Sequence, residues 1–227
     1  MKILKLTLIV VLFQLSAFAQ DCSTFYPFTQ GTLSTVTSYD KRGNVSASQE
    51  ISILEVGNSA GLTTATAQAR LKDKRGELIT ETTFNVTCRG DGVEIDIQSM
   101  MSPDLFEQFR GMETDISGTN IVLPNTLSVG DELPDAEMIM KIDMGGVNMT
   151  MEVSMIDRKV VAEESLTTPA GTFDCYVIEY TTKTKMGVAR TGKAKQWIAK
   201  GVGLVKQEDY NRNGRVLGRN LLTSFIQ

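Results

Sequence analysis

The side chains with the most distinctive chemistry in this chain carry sulfur. Eleven of its 227 residues are methionine. Six of them, Met138, Met140, Met144, Met149, Met151 and Met155, flank the pair Gly145-Gly146 at mostly alternate positions. Thioether sulfur is a soft ligand suited to Cu(I), so Met138, Met140, Met149 and Met151 form a candidate soft-metal set. The same side chains fill irregular cores and line adaptable apolar sites. Ile142, Val147 and Val153 share their alternation, which favours ordinary core first, an apolar ligand cavity second and a metal site third.

Other chemistry is narrowed mainly by what is missing. The chain has no histidine, which removes Ser-His-Asp and Cys-His catalysis, the zinc-protease motif and His-built metal centres. No phosphate-binding glycine loop or dinucleotide fingerprint is present. Two acidic groups, Asp91/Glu94/Asp96 and Asp131/Glu132/Asp135, are the candidates for a carboxylate-dependent hydrolase. Glu94 and Asp96, however, alternate with Val93, Ile95 and Ile97 as a solvated strand face would. Asp209-Tyr210-Asn211-Arg212-Asn213-Gly214 opens like a calcium loop, but Asn220 stands where a bidentate glutamate is needed. Trp197 alternates with Lys195 and Ala199; it is read as the cover of a sheet end, with a ligand platform as the alternative.

The three cysteines are Cys22, Cys88 and Cys175. An oxidising compartment favours one disulfide and one leftover thiol. Three pairings exist, and Cys22–Cys88 is preferred: Cys88 ends a strand beside a turn, whereas Cys175 lies mid-strand among apolar neighbours.

These groups must be positioned by strands, because period-two alternation dominates the sequence. Runs over 45–56, 62–72, 77–88, 93–99, 147–155, 160–167, 173–182, 190–199, 202–210 and 215–225 show strand character and are broken by turn residues. Three breaks echo one another: Asp40-Lys41-Arg42-Gly43, Asp73-Lys74-Arg75-Gly76 and Asn211-Arg212-Asn213-Gly214. Each has a polar start and a glycine able to take positive φ, which is hairpin chemistry. Gly145-Gly146 is a two-residue hairpin turn that sets Met144 opposite Val147, Ile142 opposite Met149, Met140 opposite Met151 and Met138 opposite Val153. One helix is predicted over 102–111, capped by Ser102 and Pro103, with Leu105, Phe106 and Phe109 on its apolar face. The expected fold is all-β: a large curved antiparallel sheet, half-barrel or incomplete barrel of about 11–12 strands with that one short helix.

The first residues read as an export signal: Lys2 and Lys5, an apolar stretch over 6–15, and Ala17-Phe18-Ala19 before the cleavage point. The apolar stretch is shorter than the ~20 residues a spanning helix needs, and no later segment approaches that length. The expectation is a signal peptide over 1–19 and one β-domain over 20–227, periplasmic or extracellular. Gln20 and Asp21 before Cys22 do not make a lipobox, so the product is expected not to be a lipoprotein. The chain carries 23 basic and 27 acidic residues; losing Lys2 and Lys5 leaves a net charge of −6. With no long basic run, nucleic acid and anionic lipid surfaces are not expected partners.

Several segments together resemble the TapB-like family of exported bacterial proteins, which sits beside a larger class of domains of unknown function. They are Cys22-Ser23-Thr24-Phe25-Tyr26-Pro27, Tyr39-Asp40-Lys41-Arg42-Gly43, Thr168-Pro169-Ala170-Gly171-Thr172-Phe173-Asp174-Cys175, and the run from Trp197 through Gly201-Val202-Gly203 to Lys206. The resemblance implies an extracytoplasmic β-rich fold and carries over no catalytic residue. The functional expectation is a non-catalytic envelope protein without a cofactor, binding a lipid, another hydrophobic ligand or an envelope protein partner through an apolar concave face. The face would comprise Met138, Met140, Ile142, Met144, Met149, Met151, Met155 and Trp197.

Overall fold

The computed structural model describes residues 23–59, 61–96, 113–143, 145–146 and 148–227. The expected export signal, Cys22, the helix predicted over 102–111, Met144 and Val147 all lie outside the described residues. Within them the chain is all-β, with thirteen antiparallel strands and no helix.

Five strands follow the short N-terminal strap 23–32: β1 (Leu33–Asp40), β2 (Val45–Ser59), β3 (Leu62–Asp73), β4 (Leu78–Arg89) and β5 (Gly92–Ile95). Then come β6 (Glu113–Thr119), β7 (Ile121–Pro124), β8 (Ala136–Asp143) and β9 (Asn148–Thr168). The chain ends with β10 (Gly171–Met186), β11 (Val188–Ala199), β12 (Gly203–Tyr210) and β13 (Val216–Ile226). All join one sheet in the order β6-β8-β9-β10-β11-β12-β13-β1-β2-β3-β4-β5-β7, curled into a nearly closed barrel with one open seam. A sheet this wide curls to hide its edges.

The two edge strands of the sheet are consecutive in sequence. Following the antiparallel pairings around the order, β6 and β7 run in the same direction, and only Asn120 separates them. A single extended run, 113–124, therefore spends its first half paired to β8 and its second half paired to β5. The backbone itself crosses the seam.

Three of the hairpin turns share one architecture. Asp40, Asp73 and Asn211 each accept from two backbone N–H groups with one side-chain oxygen: Arg42 and Asn44, Arg75 and Glu77, Asn213 and Arg215, at 2.7–3.0 Å. Gly43, Gly76 and Gly214 then take positive φ, as a three-residue hairpin loop with a glycine bulge requires. The backbone bonds hold the Asp40 and Asp73 carboxyls below their ordinary range. The loop at 209–214 is thus a third copy of a hairpin turn, with the Asn211 side-chain oxygen already committed to the Asn213 and Arg215 N–H groups.

Both faces of β10 are packed over residues 175–180, because the sheet curls enough for β9 to reach β13 across three intervening strands. Tyr176, Ile178 and Tyr180 face one core, with Val160, Ala194, Ile198 and the strap residues Phe25, Tyr26 and Phe28. Cys175 and Val177 face another, with Trp197, Val205, Leu222 and Val36. An amphipathic strand would alternate polar and apolar; 175–178 reads Cys-Tyr-Val-Ile because each side packs against an apolar core.

Candidate functional site

The methionine hairpin forms in the register its sequence predicts. Met138 pairs with Val153, Met140 with Met151, and Ile142 with Met149; Ala136 meets Met155 one step further. This side of β8 and β9 is closed. Met138, Met140 and Ile142 are 0–1% exposed, Met151 2%, and the cluster is completed by Ile116, Met149 and Val153. Met155 is buried too, but packs into the neighbouring core with Val160 and Tyr180. Of the residues expected to line a concave ligand face, Met138, Met140, Ile142, Met149 and Met151 are brought together in one apolar cluster.

Trp197 joins that face neither by position nor by exposure. It sits between Val177 and Lys206 in the sheet and is 6% exposed. Its indole N–H donates to the Glu164 carboxylate at 2.9 Å. The Lys206 ammonium lies 4.2 Å from the ring centroid, a cation–π contact that covers the surface a ligand would stack on.

A concave site of about 640 Å³ opens instead along the β9–β10 hairpin and the end of β11. Glu163, Glu164 and Asp174 line it beside Phe173 and Tyr176, with Lys200 its basic member. Cys175 also borders it but is 2% exposed, and its Sγ–H donates to the Phe173 carbonyl at 3.6 Å. Burial, reinforced by Asp174 and Glu164, pushes the thiol up to about 11. At neutral pH it stays protonated, which is the inert state of cysteine rather than the nucleophilic one. Cys175 is the free thiol; the bond proposed between Cys22 and Cys88 involves a residue outside the described ones.

Three of the six carboxylates considered for hydrolysis have structural partners. Glu94 pairs with Arg89 at 2.9 Å, Asp131 accepts from the Ser128 N–H at 2.7 Å, and Asp135 accepts from the Asp157 N–H at 3.0 Å. Among the described residues no three of Asp, Glu, Cys or His converge as a metal site.

One charged residue in the barrel was not foreseen from sequence. Arg158 is 2% exposed, deep in β9. Its Nη1 donates to the carbonyl of Pro134 at 2.6 Å and of Val122 at 3.2 Å. Val122 belongs to β7 on one side of the seam, while Pro134 leads into β8 on the other. The guanidinium is therefore a latch across the open seam. Burial lowers its pKa, and Tyr180, Tyr26 and Asp135 nearby oppose that by favouring the cation. Its Nε lacks a hydrogen-bond partner. The only local hint is irregular: Asp157 takes φ 54° and shifts the alternation so that Arg158 turns inward.

The fold matches solved structures over most of its length. A protein from Bacteroides fragilis, described as exported with a YmcC-like fold, superposes with a TM-score of 0.77 at 19% identity, covering 91% of this chain and 100% of that one. A protein from Parabacteroides distasonis described as a lipoprotein gives 0.76 at 24% identity, with the same coverage. At these identities the likeness is one of fold. No curated protein matches the chain. The model of the DUF3108-like family matches residues 29–222, and the chain belongs to that family.

Proposed function

We propose that this is an exported, non-catalytic envelope protein that works by binding, and that it binds through its outer surface while the barrel interior serves as core. One observation carries the reading: the apolar face that could have held a greasy ligand is filled, with Met138, Met140 and Ile142 at 0–1% exposure. The strap residues Phe25, Tyr26 and Phe28 occupy the adjoining core. The committed carboxylates, the protonated Cys175 and the absence of histidine support a binding role over a reaction. Export rests on the N-terminal sequence and agrees with the description of the Bacteroides fragilis protein as exported. The TapB-like segments fit the same reading.

Mass spectrometry of the mature protein tests it. Under native conditions the expected mass is that of the polypeptide alone. A stoichiometric lipid retained through purification would return the ligand to the interior and overturn the surface reading. The denatured mass reports on Cys22 as well: we expect two hydrogens fewer than the reduced chain, for a Cys22–Cys88 disulfide, whereas an acylated Cys22 would place the protein among lipoproteins.

A second reading has one observation in its favour: the direct pairing of Met140 with Met151. Opposed residues on one face bring Cβ atoms within about 5 Å, close enough for two thioethers to share a Cu(I) ion. Titration with Cu(I) decides it. Stoichiometric binding abolished by Met140→Leu with Met151→Leu would support a soft-metal carrier, and no binding would end that idea.

A further inference from the structure

Most of the exposed large apolar side chains of the described residues, and the bases of three hairpin turns, gather at one end of the barrel. The register places the turns after Asp40, Asp73 and Asn211 side by side: Asp40 pairs with Gly218, Asp209 with the same Gly218 on its other side, and Ala47 with Asp73. These tips present Lys41, Arg42, Lys74, Arg75, Arg212 and Arg215, all exposed. Against them stand Asp40, Asp73 and Glu77, so the three tips carry a net charge of +3 on a chain whose total is −4. One oxygen of each of Asp40 and Asp73 accepts from backbone N–H groups of its own turn, the other oxygen of Asp40 accepts from the Asn44 side chain, and Arg42 and Arg75 act on the two carboxylates through space.

Apolar residues sit beside the same turns. Val45, Leu78, Ile79, Val216 and Leu217 immediately follow the three tips and are 37–53% exposed. At the same end, the β10–β11 hairpin continues beyond the Lys193–Tyr210 pair by five residues, about 17 Å at strand rise. Its tip shows Met186 at 42% and Val188 at 74% exposure. Lys183 and Arg190 flank that tip, while Lys185 is paired with Glu152 at 3.0 Å; the β8–β9 turn at the same end adds one exposed acid, Asp143. Seven of the eleven exposed large hydrophobic residues of the described chain thus share one rim with its basic turns. The N-terminal strap is held at the opposite end, where Thr24 accepts from Gly201 in the β11–β12 turn, so it does not cover this rim.

We propose that this rim docks on an anionic phospholipid bilayer. Basic side chains seek the negative headgroup surface, and apolar side chains beside them can enter the boundary below it. A soluble polyanion would satisfy the charges but would give the exposed Val, Leu and Met nothing to bury in; a bilayer satisfies both. The inference deepens the surface-binding reading above and supplies its partner class.

The test uses the full mature protein and sedimentation with vesicles, one set of phosphatidylglycerol and phosphatidylcholine in equal parts, the other of phosphatidylcholine alone. Binding is expected to the anionic vesicles at low salt, reduced at high salt and absent with the neutral vesicles. Each basic residue near such a surface is worth roughly fivefold in partitioning, so replacing Lys41, Arg42, Lys74 and Arg75 by serine should weaken binding by about 100-fold or more. Met186→Ser with Val188→Ser should lower it by about tenfold or more while leaving the salt dependence in place. All six positions are exposed; circular dichroism checks the fold of each variant, and Arg212→Ser with Arg215→Ser removes charge from a different tip should the first set misfold. No binding to anionic vesicles, or binding indifferent to both variant sets, overturns the rim. Equal retention on immobilised heparin, unaffected by the Met186 and Val188 changes, overturns it in favour of a polyanion partner. These failures leave the surface reading standing, because only a lipid in the native mass would remove that.

Discussion

Replacing Arg158 by methionine tests whether a buried cation holds the barrel together. The perturbation removes the donor from two carbonyls, Pro134 and Val122, that lie on opposite sides of the seam. Hydrogen bonds from a charged donor contribute about 1.5–3 kcal/mol each, so the gross loss is about 3–6 kcal/mol. Against it stands the relief of burying a guanidinium at 2% exposure with its Nε unpartnered, a penalty of several kcal/mol. The two nearly offset in the global stability, and urea unfolding should show a net loss of only about 1–3 kcal/mol.

The local effect does not offset in the same way. Desolvation is a property of the whole folded state, whereas the carbonyl bonds act on β7 and the segment entering β8. Hydrogen exchange at residues 121–123 should therefore accelerate by about 100-fold, the equivalent of ~3 kcal/mol of seam opening. Amides in the central β10–β11 pair should change only as far as global stability does. Arg158→Lys should fall between, since an ammonium reaches carbonyls as a point donor without the planar fork. If exchange across 121–123 is unchanged or slower in Arg158→Met, the residue is a buried cost and not a latch, and the account of how the seam is held is wrong.

The remaining expectations address the same framework. Gly92→Ala should destabilise by about 1–3 kcal/mol by urea unfolding, because a Cβ there would stand 2.6 Å from the Leu123 carbonyl oxygen and 3.0 Å from the Pro124 Cα, both backbone atoms of β7. Met140→Leu and Met151→Leu should each cost under ~1.5 kcal/mol, while Met140→Ala should cost about 2–5 kcal/mol; a small cost for the alanine variant would mean the cluster is not close-packed. Burial pushes Tyr26 up from 10.0 to about 12, against the pull of Arg158, and pushes Tyr180 further up. The unfolded chain thus loses those protons first, so stability present below pH 10 should fall as pH rises to about 12. Chemical unfolding across that range should flatten in Tyr26→Phe, and an unchanged slope would discount the phenol.

Much of the fold was legible because it rests on local rules. Period two fixed most strands to within a few residues, and Gly145-Gly146 fixed the β8–β9 register down to individual pairs, since a hairpin turn leaves no freedom to slip. The three echoing turns resolved as one motif for the same reason. What escaped depends on contacts distant in sequence. The separate runs 147–155 and 160–167 are one 21-residue strand, β9, because Asp157 and the bulge near Val161 reset its alternation without ending it. Strands β6 and β7 escaped because 113–124 divides its pairing between the two sides of a seam, so neither half shows a full alternating pattern. Whether the methionine face is core or cavity could not be read from alternation, which says that side chains are turned from water and not what fills the space they face.

The rim proposal departs from the charge reading of the sequence for a reason that applies to antiparallel sheets generally. A search for a basic run treats charges as neighbours only when the sequence does. Here three turns, at residues 40–43, 73–76 and 211–214, are brought onto consecutive hairpins of one sheet. Neighbouring tips are two strands apart, about 9.6 Å, which is close to the Debye length of ~8–10 Å at physiological ionic strength. Their potentials therefore overlap, and six bases act as one patch although no two turns lie within thirty residues of each other in sequence. Glu163 and Glu164, near the other end of β9, are screened from it over several such lengths. The unit for reading charge in a hairpin sheet is the turn, summed over every turn at the same end.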